Sequence, residues 1–85
     1  MGPGPVGSAS YIVQVLATRD ARVARRMRER LAARGFPAIV REDRSGGQVV
    51  YRVRAGRYFT RAEADAAARV LHRSHLSPWV LQEGL

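Results

Sequence analysis

The sequence predicts an α+β domain: a ferredoxin-like (RNP-like) βαββαβ two-layer sandwich, with two helices on one face of a four-stranded antiparallel sheet ordered 4-1-3-2. Three observations carry this. The chain nearly repeats itself at an offset of forty, Tyr11 falling on Tyr51, Val13 on Val53, Ala24 on Ala64, Leu31 on Leu71 and Val40 on Val80. Apolar residues alternate with a period of two in the segments that begin each repeat and follow a helical period between them. Helix-starting residues, Asp20 and Thr60, stand at matching places in the two halves.

Taken in order, residues 11–17 alternate as a strand, with Tyr11, Val13 and Val15 on one face and Ile12, Gln14 and Leu16 on the other. Asp20 suits a helix N-cap, because its carboxylate accepts from free first-turn amides and meets the positive end of the dipole. The helix runs to about Arg34, with Val23, Ala24, Met27 and Leu31 as its apolar stripe and arginines around the solvent side. Gly35 ends it. Residues 37–43 form a second strand, and Ser45-Gly46-Gly47 connects it as a hairpin to a third over 48–55, which Gly56 breaks. Thr60 and Glu63 make a capping box that opens the second helix, whose buried stripe is Ala64, Ala67, Ala68 and Leu71. After a turn over 72–77, residues 78–82 make a short last strand, placed at a sheet edge by Pro78.

A chain of 85 residues makes one small domain, and such domains bury only about 60% of their unfolded surface. It has no cysteine, so neither a disulfide framework nor a thiolate metal site contributes. Net charge is +8 and every cation is Arg, which favours an anionic partner. No apolar run approaches the roughly 20 residues of a membrane span. Residues 1–10, rich in Gly and Pro, are expected to be a flexible linker or an expression-derived tail, with the folded domain over 11–85.

With the helices covering one face, the same alternation leaves Ile12, Gln14 and Leu16, Arg52 and Arg54, and Trp79 and Leu81 on the other, together with Ile39 and Arg41. Indole offers a flat apolar ring with one donor, the amide both donates and accepts, and guanidinium grips a carboxylate or phosphate in two-pronged fashion. Plainer roles stand beside these. A one-residue slip of the last strand would turn Trp79 into the core. Gln14 suits any solvent-facing strand position, and the two arginines suit a merely solubilising role.

Catalytic chemistry finds no purchase. His72 and His75 lack a second pair of ligands for a metal, Glu63 is committed to capping, and Asp65 and Glu83 have no evident catalytic partner. There is no nucleophile with a base, no paired carboxylates and no phosphate loop. The chain is expected to be no enzyme and to use no cofactor.

Tyr11-Ile-Val-Gln-Val15, the helix end Leu31-x-x-x-Gly35-Phe36-x-Ala38, Tyr51-Arg-Val-Arg-Ala-Gly56-Arg-Tyr-Phe59 and Thr60-Arg-Ala-Glu-Ala64 leading to Leu71 together resemble the SPOR domain, over residues 11–82. The sequence departs from that pattern at Leu16-Ala17-Thr18-Arg19, which carries no aromatic, and at Gly56-Arg57-Tyr58. The resemblance implies a peptidoglycan-binding module for glycan strands stripped of stem peptides. It implies a place at the division septum, on the periplasmic or cell-wall side of a bacterial envelope, as the C-terminal domain of a larger protein. Any membrane link would run through that protein's missing N-terminal region. The resemblance also places binding on the open sheet face, where Gln14 falls on a family glutamine and Trp79 on an aromatic found in some members.

The rival class is a single-stranded RNA binder, since the RRM shares this topology and basic charge. RRMs stack bases on aromatics of strands one and three. Here Tyr11 and Tyr51 point to the core, so no specific nucleic acid partner is expected. A third class is a protein-interaction module that pairs through its sheet.

Overall fold

A computed structural model describes residues 10–83. Its elements are β1 (Ser10–Thr18), α1 (Ala21–Ala33), β2 (Ile39–Ser45), β3 (Gln48–Tyr58), α2 (Arg61–His72) and β4 (Trp79–Glu83). All sheet pairings are antiparallel, and the strand order is β2-β3-β1-β4, the predicted order read from the other edge. The tail expected over residues 1–10 lies outside the described residues except for Ser10, which opens β1. None of the described helices is long and apolar enough to cross a membrane.

Local chemistry starts and stops each helix. The Asp20 side chain accepts from the Arg22 backbone amide at 2.9 Å. At α2 the capping box is complete: Glu63 N–H donates to Thr60 Oγ1 at 3.1 Å, and Thr60 N–H donates to the Glu63 carboxylate at 3.2 Å. Both helices close the same way. Phe36 N–H reaches back to the Leu31 carbonyl at 2.9 Å and Leu76 N–H to the Leu71 carbonyl at 3.4 Å. The left-handed residue this closure needs is Gly35 (φ 87°) in the first case and His75 (φ 64°) in the second.

The repeat at forty residues is therefore a symmetry of the fold. Exchanging β1 with β3, α1 with α2 and β2 with β4 reproduces the sheet order. Between the layers lies a core of Val13, Val15, Ala24, Leu31, Val53, Ala55, Ala64 and Leu71, with Tyr11, Met27, Val40, Tyr51 and Val80 packed at its margin. Val23 departs from expectation: it is 36% exposed, having turned toward solvent while Ala24 carries the contact with the sheet.

The central strands β1 and β3 do not pair in simple alternation. From Ile12↔Arg57 to Gln14↔Arg54, β1 advances by one intervening residue and β3 by two, Ala55 and Gly56. From Gln14↔Arg54 to Leu16↔Val53 the imbalance reverses, and Val15 is the extra residue. The two bulges sit forty residues apart and compensate each other. Gly56 accordingly bends β3 without ending it. It holds φ 105°, and a Cβ there would meet the Tyr58 hydroxyl at 2.7 Å. The β2–β3 turn is the two-residue Gly46-Gly47, with φ of 57° and 81°, the pattern of a type I′ hairpin.

His75 carries a side chain where the helix closure favours none. His75→Gly is expected to raise stability by about 0.5–1 kcal/mol, the left-handed penalty less the extra chain entropy of glycine in the unfolded state. The urea midpoint of the variant against the parent reads this directly.

Candidate functional site

Residues directly opposite in an antiparallel pair share a face, so the register specifies the open side of the sheet. One row crosses all four strands: Ile39 on β2, Arg54 on β3, Gln14 on β1 and Trp79 on β4. A second row runs Arg57, Ile12 and Leu81, and a third runs Arg41, Arg52 and Ala17. Eight of the nine predicted face residues are thus brought together: Ile12, Gln14, Ile39, Arg41, Arg52, Arg54, Trp79 and Leu81. Leu16 is the exception. The bulge at Val15 advances it to pair with Val53 and packs it against the core, leaving Ala17 on the open face.

The face is less open at its centre than alternation implied. Gln14 is 1% exposed and Ile12 2%, Gln14 lying between Arg54 and Trp79 and Ile12 between Arg57 and Leu81. Trp79 on the edge strand remains 42% exposed. Neither the oxygen nor the nitrogen of the Gln14 amide has a hydrogen-bond partner among the described residues, and neither has Nε of Arg54, its cross-strand neighbour. An unmade hydrogen bond on a buried group costs about 1–3 kcal/mol, so three such atoms at one pairing are costly to the free protein.

The arginines are not vacant. Glu83, last residue of β4, accepts from Arg54 Nη1 at 3.2 Å and from Arg57 Nη2 at 3.0 Å. Asp43 does the same for Arg52 Nε at 2.9 Å and Arg41 Nε at 3.3 Å. Desolvation acts to raise the Asp43 carboxyl, but the hydrogen bonds from Arg52 and Arg41 outweigh it and hold the group below its ordinary 3.8. Asp20 is also lowered, chiefly by the backbone amide of Arg22.

Sequence reasoning missed Glu83, Asp43 and Arg57 as parts of this face. Glu83 was recoverable, since Trp79, Leu81 and Glu83 alternate on one side once the strand is carried one residue further. Arg57 was not, because the β3 bulge resets alternation just before it.

Beside the central row lies a hollow of about 250 Å³ lined by Ile12, Pro37, Ile39, Arg41, Arg54, Gly56 and Arg57. A larger, shallower groove of about 570 Å³ runs between α2 and the β4 edge, past Arg61, Arg69, Arg73 and Trp79. The sheet face is the better candidate, because the unpartnered buried polar atoms lie there and not in the groove. The hollow lies on the β2–β3 side of the Gln14 amide and the Trp79 indole lies on the β4 side, so the face presents apolar, amide and guanidinium groups in one row.

The SPOR-domain family matches the chain over residues 7–82. The chain belongs to the SPOR family. A solved structure similar to this SPOR domain is the peptidoglycan-binding domain of the B. subtilis cell wall lytic enzyme CwlC, in solution. The two share 25% identity with a TM-score of 0.79, over 95% of this chain and 98% of the other. No curated protein matches the chain.

Two outcomes follow from the geometry. Gln14→Met removes both orphaned amide atoms at nearly constant volume, and is expected to stabilise the free domain by about 1–2 kcal/mol in denaturant unfolding. The acid response follows from Asp20 and Asp43. Their folded values lie below 3.8, so their stabilisation is complete above that pH and disappears as pH falls through the lowered values. Thermal melts from pH 6 downward, on a buffer ladder of about one-unit steps, should show the fall begin near 3.8. Asp43→Asn should flatten it.

Proposed function

We propose that this SPOR domain is a non-catalytic peptidoglycan-binding module that takes glycan strands lacking stem peptides on the open face of its sheet. Through it a parent protein would be drawn to the septum or cell wall, on the periplasmic or cell-wall side of the envelope. The observation that carries this reading is the buried amide of Gln14, unpartnered among the described residues and paired across the sheet with Trp79 on one side and Arg54 on the other.

The chemistry runs as follows. The Trp79 indole packs on the C–H face of a sugar ring. Once the flanking Arg54 and Trp79 side chains part to admit the ligand, the Gln14 amide takes an acetamido or hydroxyl group and so makes hydrogen bonds that it lacks among the described residues. Ile12 and Leu81 supply the apolar floor in the adjoining row. Arg54 meets the lactyl carboxylate of muramic acid; Arg52, held by Asp43, lends positive potential from the next row. A stem peptide amidates that carboxylate, removing its charge and adding bulk, which favours stripped strands. Few contacts on a shallow face give modest affinity, so accumulation depends on a high density of sites.

Support comes also from the peptidoglycan-binding domain of CwlC, 98% of which this chain matches in fold. Tyr11 and Tyr51, at positions where an RNA-binding sheet would show stacking aromatics, pack instead at the helix-side core.

The test is co-sedimentation with sacculi before and after amidase digestion, with single-stranded RNA at two salt concentrations as a parallel arm. Digestion should raise binding, and Trp79→Ala and Gln14→Ala should each lower it by roughly tenfold or more, about 1.4 kcal/mol. Indifference to sacculi, with RNA binding that collapses in salt, would replace this reading by a nucleic-acid one.

A further inference from the structure

Arg54, in the Gln14 row, and Arg57, in the row beside it, already share a carboxylate. Glu83 Oε2 lies 3.2 Å from Arg54 Nη1, and Glu83 Oε1 lies 3.0 Å from Arg57 Nη2, so one oxygen serves each guanidinium. The environments differ sharply. The Arg54 side chain is 11% exposed, whereas Glu83 and Arg57 are substantially open to solvent. Arg54 Nε, buried, has no partner among the described residues. Glu83 therefore balances a largely buried cation without saturating it.

We infer that Glu83 is a displaceable counter-ion: it occupies Arg54 and Arg57 while the face is empty, and a ligand carboxylate takes its place. This rests on the glycan-binding reading above and adds a determinant to it. Without Glu83 the free protein would carry a largely buried, unpaired guanidinium, which is costly. With Glu83, a carboxylate-bearing ligand must exchange one anion for another before it gains Arg54. The exchange is open to a ligand because Glu83 is itself 38% exposed and its second contact, to Arg57, is on the solvent side and weakly held, while the incoming carboxylate keeps Arg54 paired. A neutral saccharide has nothing to offer Arg54 and leaves Glu83 where it is. The residue thus lowers affinity for anionic glycan selectively and keeps attachment reversible.

The experiment uses two probes: a tetrasaccharide of alternating N-acetylglucosamine and N-acetylmuramic acid with free lactyl carboxylates, and chitotetraose, which has none. Isothermal titration compares the parent domain with Glu83→Gln, which keeps shape and removes charge. The variant should bind the muramic tetrasaccharide about three- to tenfold tighter than the parent, with chitotetraose binding unchanged. Unchanged or weaker binding of the muramic probe overturns the inference, as does an equal gain for both probes. A parent domain that binds neither probe sinks the functional reading and this inference with it; a parent that binds, with no selective gain in the variant, sinks the inference alone. If Glu83→Gln melts too low to assay, Glu83→Asp carries the test, with a smaller gain of the same selectivity expected as the anion is withdrawn by one methylene.

Discussion

Everything on the open face depends on how β1 and β3 pair at the centre of the sheet. Two regular strands would carry strict alternation along their full length. Here each strand bulges once, at Val15 and at Ala55-Gly56, and the second irregularity cancels the first. Between them Gln14 is held opposite Arg54, and outside them the strands return to a common register. The bulges bring Leu16 under the helices and Arg57 onto the face. They also require a residue that tolerates φ 105° beside the Tyr58 ring, which only glycine supplies without strain.

The polar groups of this face divide by how they are satisfied. Arg41 and Arg52 share Asp43, and Arg54 and Arg57 share Glu83, so each carboxylate bridges two guanidinium groups and leaves its cluster net positive. The Gln14 amide is balanced by nothing described, though it is among the most buried side chains of the domain. Mean stability arguments would replace such a residue by an apolar one of the same size. A function that needs a rigid amide at a fixed spot gives a reason to retain it, and pre-orders the group at the expense of the empty state.

Most of the fold was legible because it is repeated. Matching residues forty apart, a complete capping box and the Gly-Gly turn are local signals, and local rules read them correctly. The strand order followed from the need to bury two helix stripes. What escaped was non-local. Leu16 was placed on the wrong side because a bulge is a property of two strands together and leaves no mark in the alternation of one. The ion pairs were invisible for the same reason, Arg54 and Glu83 being 29 residues apart in the chain. Val23 was misread because Ala24, one position on, makes the closer approach to the sheet.

The internal dyad has one more consequence. It relates Gln14 to Arg54 and Ile39 to Trp79, so the backbone of the face is nearly the same when turned by half a revolution while its side chains are not. A polymer laid across it in one sense passes indole, amide, guanidinium and aliphatic in turn; laid the other way, it meets them reversed. A chain with chemically distinct ends would therefore meet a different sequence of groups in each heading, the difference residing in the side chains and not in the backbone that carries them.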